Sequence, residues 1–130
     1  MILLKKLFGV NKLPKEPKKI IPWIPLTSLK QLEDVLKQSQ EKPVVIFKHS
    51  TRCGISRMVL RQFEKQLDFE AKHVKFYFLD LLTFREISNE IAIRFQVHHQ
   101  SPQLIVIKSG TVLNHCSHYE INATILKKII

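Results

Sequence analysis

The chain has 130 residues, 45% hydrophobic and 25% charged, which is the bulk of one globular domain. Lys and Arg outnumber Asp and Glu by 21 to 11, and only three glycines and two cysteines are present, so collagen-like, coiled-coil, repeat-array, wholly disordered and disulfide-scaffold classes are excluded. Every apolar stretch is broken by Lys or Pro well short of the roughly 20 residues that cross a bilayer. The start Met1-Ile2-Leu3-Leu4-Lys5-Lys6 lacks a charged region ahead of a signal-length apolar run, so a cytoplasmic protein is expected.

Half of the formal charge of +10 lies in residues 1–25, where Lys5, Lys6, Lys12, Lys15, Lys18 and Lys19 face Glu16 alone among Pro14, Pro17, Pro22 and Pro25. This composition predicts a basic, flexible tail over residues 1–21 ahead of a folded domain over 22–130. Because the excess is not gathered on a structured face, no nucleic-acid partner is expected. The apolar Met1 to Val10 stretch with its two lysines leaves room for a weak membrane contact through the tail.

Trp23-Ile24-Pro25-Leu26 predicts a short edge strand, since Pro25 has no ladder donor. Ser28 and Gln31 form a capping-box pattern ahead of a helix with Leu29, Leu32, Val35 and Leu36 on one face, ending near Gln40. Pro43-Val44-Val45-Ile46-Phe47 reads as a central strand covered on both faces. Ser50 to Gly54 supplies a turn, and Val59, Leu60, Phe63 and Leu67 mark a helix from about Ile55 to Phe69. A strand over Val74 to Leu79 follows, then a helix through Ile87, Ile91 and Phe95, capped by Thr83 with Glu86. Pro102 to Lys108 is a strand, Ser109-Gly110 a hairpin turn into Thr111 to Cys116, and Ile121, Ile125, Leu126 and Ile129 make a closing helix. The order β-α-β-α-β-α-β-β-α predicts an α/β fold: a mixed central sheet in which helix-linked strands pair in parallel and the hairpin adds an antiparallel strand, with helices on both faces.

Cys53 stands where a buried strand gives way to a helix. Unpaired N–H groups and about half a positive charge at a helix N-terminus favour the thiolate, which is the reactive form of cysteine. Arg52 and Arg57 add formal charge, and Lys48 with them suggests a cationic rim. In Cys53-Gly54-Ile55-Ser56 the fourth position has no redox chemistry, so the site is monothiol. It takes an adduct and must be regenerated by another thiol, unless the distant Cys116 reaches it.

Ser101-Pro102 opens the strand before the hairpin, where the sheet should pass beside the Cys53 turn. A cis bond there would free the backbone of the preceding residue to pair with an extended substrate, although an isolated X-Pro bond is cis in only about 5–6% of cases. His99 is expected to form a wall of the Cys53 pocket and His49 to be a packing or turn residue. The histidines around Cys116 do not share a strand face, and no metal is expected.

The element order, the Cys-x-x-Ser turn and the Pro-led strand resemble the thioredoxin-like superfamily over about residues 22–130. More narrowly, Lys48-His49-Ser50-Thr51-Arg52-Cys53-Gly54-Ile55-Ser56 together with His99-Gln100-Ser101-Pro102-Gln103 resembles the monothiol bacilliredoxins of the bacillithiol system, the YtxJ-like proteins. Ser117-His118 and Ile121 fit that pattern near the last helix. The family turn usually reads Thr-Cys-Pro-Ile-Ser, so Arg52 and Gly54 replace Thr and Pro here. The resemblance implies a thiol–disulfide oxidoreductase with Cys53 as nucleophile and Ser56 as its catalytic neighbour. Arg52, Gly54, Ile55, His99, Ser101 and Pro102 would bind the substrate. The implied partners are bacillithiolated client proteins and a regenerating low-molecular-weight thiol; bacillithiol is a co-substrate, and no resident cofactor is implied.

Two further functions compete with this one. Cys-Gly-Ile-Ser is one residue from the Cys-Gly-Phe-Ser turn of monothiol glutaredoxins, which carry iron–sulfur clusters, although Gln100-Ser101-Pro102 and Ser117-His118-Tyr119 differ from their Thr-Val-Pro and Gly-Gly segments. The other alternative is a redox-inert thioredoxin-like adaptor.

Overall fold

The structure, a computed structural model, describes residues 21–67 and 73–129. The expected tail and its membrane contact lie outside the described residues, apart from Ile21, which is buried against the core.

The elements follow the expected order: β1 (Ile24–Pro25), α1 (Gln31–Ser39), β2 (Val44–His49), α2 (Gly54–Gln66), β3 (Lys75–Asp80), α3 (Arg85–Phe95), β4 (Gln103–Lys108), β5 (Thr111–Ser117) and α4 (Ala123–Ile129). One five-stranded sheet runs β1-β3-β2-β4-β5. The β1–β3 and β3–β2 pairs are parallel, whereas β4 pairs antiparallel with both β2 and β5. The expectation that every helix-linked strand pairs in parallel therefore fails at β4. The connection after α3, residues 96–102, delivers the chain to the end of the sheet at which β2 finishes, so Gln103 enters opposite Lys48.

Period-two alternation along β2 divides the core. Val45 and Phe47 pack with Val59 and Phe63 of α2 and Leu126 of α4 on one face. Val44 and Ile46 pack with Leu32 and Val35 of α1 and Ile87 and Ile91 of α3 on the other. Trp23 fixes the first layer near the β1 edge: its ring lies edge-on to Phe76 and Phe78, and its Nε1 donates to Glu64 of α2 at 2.8 Å.

Two caps differ from expectation. The Gln31 carboxamide oxygen accepts the N–H groups of Thr27 and Ser28 at 2.6 and 3.0 Å, but Ser28 makes no side-chain cap and the helix starts after Lys30. Thr83 donates its hydroxyl to Asp80 at 2.9 Å, leaving Phe84 at the N-cap of α3. In the hairpin turn Ser109 and Gly110 both have positive φ, 53° and 78°, the left-handed pair that fits strand twist. Register in β5 shifts opposite Val106/Ile107, which leaves Leu113 as an extra residue between Asn114 and Val112 and 46% exposed.

Candidate active site

β2 carries the chain to His49, and the polar run Ser50 to Arg52 turns it into α2. The Cys53 N–H donates to Ser50 O at 3.1 Å, and the Cys53 carbonyl accepts Arg57 N–H at 3.1 Å. These two bonds put Cys53 at the N-cap of α2 in extended conformation (φ −102°, ψ 120°), half-buried. Its thiol thus sits where the first helical N–H groups are unpaired and the helix dipole is positive. Gly54 and Ile55 follow in the first turn, both exposed, with Arg52 exposed before them. A Cβ added at Gly54 would meet only the Arg57 guanidinium, at 3.9 Å.

Ser56 is fully buried. Its Oγ accepts the Ser50 N–H at 3.1 Å and lies 2.7 Å from His49 Nδ1. His49 is 5% exposed, with its ring 5.3 Å from that of Phe78. Burial holds its pKa below the usual value; Asp80 and Glu64 oppose that effect and Arg57 adds to it. His49 is thus a packing and turn residue. Arg57 donates to Thr51 O at 2.9 Å, which closes the turn from outside.

Pro102 follows a cis Ser101–Pro102 bond, and its carbonyl accepts the backbone N–H of His118 at 3.0 Å, fastening the start of β4 to the end of β5. Antiparallel pairing of β4 with β2 sets this loop at the sheet end from which the Cys53 turn departs. Ser101 Oγ is buried without a hydrogen-bond partner among the described residues, as is Oε1 of Gln103, while Gln103 Nε2 donates to His98 O at 2.9 Å. The structure therefore gathers Cys53 and Ser56 on one turn, with Ser101 and Pro102 opening the strand that enters beside β2.

Lys48 does not belong to the expected cationic rim. The strand reaches two residues beyond Phe47, and alternation turns Lys48 onto the Val44/Ile46 face, where it is 0% exposed beneath α3. Its Nζ donates to Ser88 O at 3.2 Å and lies 3.3 Å from His99 Nδ1. Burial lowers its pKa from 10.5 to about 8. The missed signal was in the sequence: continuing the alternation of Val44 and Ile46 by one step places Lys48 in the core. Cys116 lies on β5 against the α2/α4 core, and burial raises its thiol from 9.0 to about 11, opposed by a hydrogen bond from the Asn122 backbone.

The family profile described as "Monothiol bacilliredoxin BrxC" matches residues 24–126, most of the chain. The chain belongs to the monothiol bacilliredoxin family. A solved protein described as "A putative oxidoreductase with a thioredoxin fold" is 32% identical, covering 82% of this chain and 92% of its own, with a TM-score of 0.71. The thioredoxins of Malassezia sympodialis (22% identical, 89% of this chain and 92% of that one, TM-score 0.66) and Trypanosoma brucei brucei (22%, 88% and 93%, 0.62) share the fold. Family and fold together make the chain a thiol–disulfide oxidoreductase of the thioredoxin-like class. Among the described residues no helix is long and apolar enough to cross a membrane.

Proposed function

We propose that the chain removes bacillithiol from mixed disulfides on client proteins through Cys53. The Cys53 thiolate attacks the bacillithiol sulfur, the client sulfur leaves as a thiolate and takes a proton, and Cys53 is left in a disulfide with bacillithiol. A second low-molecular-weight thiolate then attacks the bacillithiol sulfur, forming a small-molecule disulfide and restoring the Cys53 thiolate. Each step exchanges one S–S bond for another, so bacillithiol is a co-substrate and no resident cofactor is needed.

One observation carries this reading. Both thiols are half-buried, but Cys53 alone sits at a helix N-terminus, while Cys116 has its thiol pushed up to about 11 and Ser56 stands where a dithiol enzyme needs its second sulfur. A protonated thiol is a poor attacking group, so Cys116 does not resolve the adduct. Arg52, Gly54 and Ile55 line the exposed turn, and Ser101, Pro102 and His99 form the neighbouring loop against which the adduct is held.

The test is the mass of the reacted enzyme after exposure to oxidised bacillithiol and, separately, oxidised glutathione. One bacillithiol adduct is expected, lost in Cys53→Ser and kept in Cys116→Ser, together with release of bacillithiol from a modified client. Ser56→Cys should instead form an internal disulfide and expel the small thiol. A Cys53–Cys116 disulfide in the wild type, or an adduct with glutathione alone, would overturn the reading.

A further inference from the structure

A fully buried lysine is rare unless paired, and among the described residues Lys48 is bonded to no carboxylate. It joins three elements instead: it stands on β2, five residues before Cys53, and reaches Ser88 O of α3 and His99 Nδ1 of the loop that leads to Pro102. With its pKa near 8, Lys48 is mostly ammonium at pH 7, and an ammonium has donors and no lone pair. In that pairing Nδ1 of His99 accepts, with Ser88 Oγ 3.3 Å from the same nitrogen. The ring proton is left on Nε2.

The charges acting on His99 share one sign: Lys48 from β2, Arg85 from the first turn of α3, and His98 from its own loop each disfavour its protonation, after burial, which is the largest cause. His99 itself is exposed. A neutral imidazole with one N–H donor, on an exposed residue set among cations, is suited to an anionic oxygen.

We propose that Lys48 fixes His99 as an Nε2–H donor beside the Ser101–Pro102 loop, and that this donor binds a carboxylate on the small-thiol half of the mixed disulfide. Lys48 is thus a positioning residue and His99 a specificity residue. The recognition half of this inference rests on the proposed small-thiol exchange at Cys53; the tautomer half does not.

The experiment has two readouts on the full chain. Long-range proton–nitrogen NMR of the histidine rings at pH 7 should show His99 as the Nε2–H tautomer in the wild type and in Lys48→Arg, and a mixture of tautomers in Lys48→Met. In kinetics, a client bearing bacillithiol is compared with the same client bearing cysteamine, which has no carboxylate. His99→Phe and Lys48→Met should raise KM for the bacillithiol adduct about ten-fold with kcat little changed and raise it far less for the cysteamine adduct, and His99→Gln, which keeps a donor near the Nε2 position, should restore most of the loss. An Nδ1–H tautomer in the wild type would overturn the role of Lys48. Equal losses on both adducts would overturn the carboxylate site, whereas absence of turnover on either adduct by the wild type would overturn the functional reading on which the site depends.

Discussion

His49 Nδ1 stands 2.7 Å from Ser56 Oγ, and the same oxygen accepts the Ser50 N–H, so one buried hydroxyl ties the last residue of β2, the active turn and the first turn of α2 together. Ser56 thus supports Cys53 by holding the turn. Ser56→Ala leaves the Ser50 N–H and the His49 nitrogen without that partner in a buried site, which costs about 1–3 kcal/mol. The expected result in urea denaturation is a loss of that size with exchange at Cys53 slowed but retained. Unchanged stability would show that the hydroxyl holds nothing.

Two histidines set the acid side of the stability profile. His49 and His99 both have pKa values held below the usual 6.5, first by burial. When such a group is neutral in the fold, the unfolded chain binds protons first as pH falls, so stability is present above about 6.5 and is lost on acidification through the folded-state values. Denaturation midpoints should therefore fall between pH 7.5 and about 5, and less steeply in His49→Gln, which removes one of the two groups.

Lys48→Met should stabilise the protein at neutral pH while weakening function. The drop of the Lys48 pKa from 10.5 to about 8 corresponds to roughly 3 kcal/mol opposing its burial as a cation, at 1.36 kcal/mol per pKa unit. Methionine fills similar volume with no charge to desolvate, so a gain of about 1–3 kcal/mol is expected at pH 7. Between pH 8 and 10.5 the unfolded lysine holds a proton that the folded one has lost, so wild-type stability rises there and the advantage of the variant shrinks. Because Cys116, raised to about 11, makes stability fall with pH above 9 in both proteins, the difference between them is the quantity to follow by calorimetry.

Gly54→Pro is the substitution the turn is ready to accept. Position 54 is the first residue of α2, the added Cβ meets only the Arg57 guanidinium at 3.9 Å, and Cys53 already has the extended conformation required before proline. A gain of about 0.4–1 kcal/mol follows from the smaller conformational freedom of the unfolded chain. A fall in thermal midpoint would mean that the turn needs the glycine.

The long periodic segments were legible in the sequence because burial imposes the pattern directly: Val59 with Phe63 and Ile87 with Ile91 face the core as their spacing requires. The Cys53 turn was legible for the same reason, lying where a run of β-branched residues stops and a helical period begins. Strand direction at β4 was not, since local pattern is silent on which end of the sheet a loop returns to; the Thr83 hydroxyl bonds the Asp80 carboxylate in place of the helix end, and Ser28 makes no side-chain cap. At Lys48 the charge signals solvent while the alternation of its strand puts the side chain in the core, and burial follows the alternation.

Both sheet edges are blunt. β1 is two residues long and contains Pro25, and β5 is kinked by the extra Leu113. An edge with a missing donor or a local twist is a poor template for another extended chain. The proposed exchange brings a client polypeptide up to the Cys53 end of this sheet, where a straight edge would invite strand addition. With the edges spoiled, the sheet offers the client no second hold, and the client can depart as soon as its sulfur leaves as a thiolate.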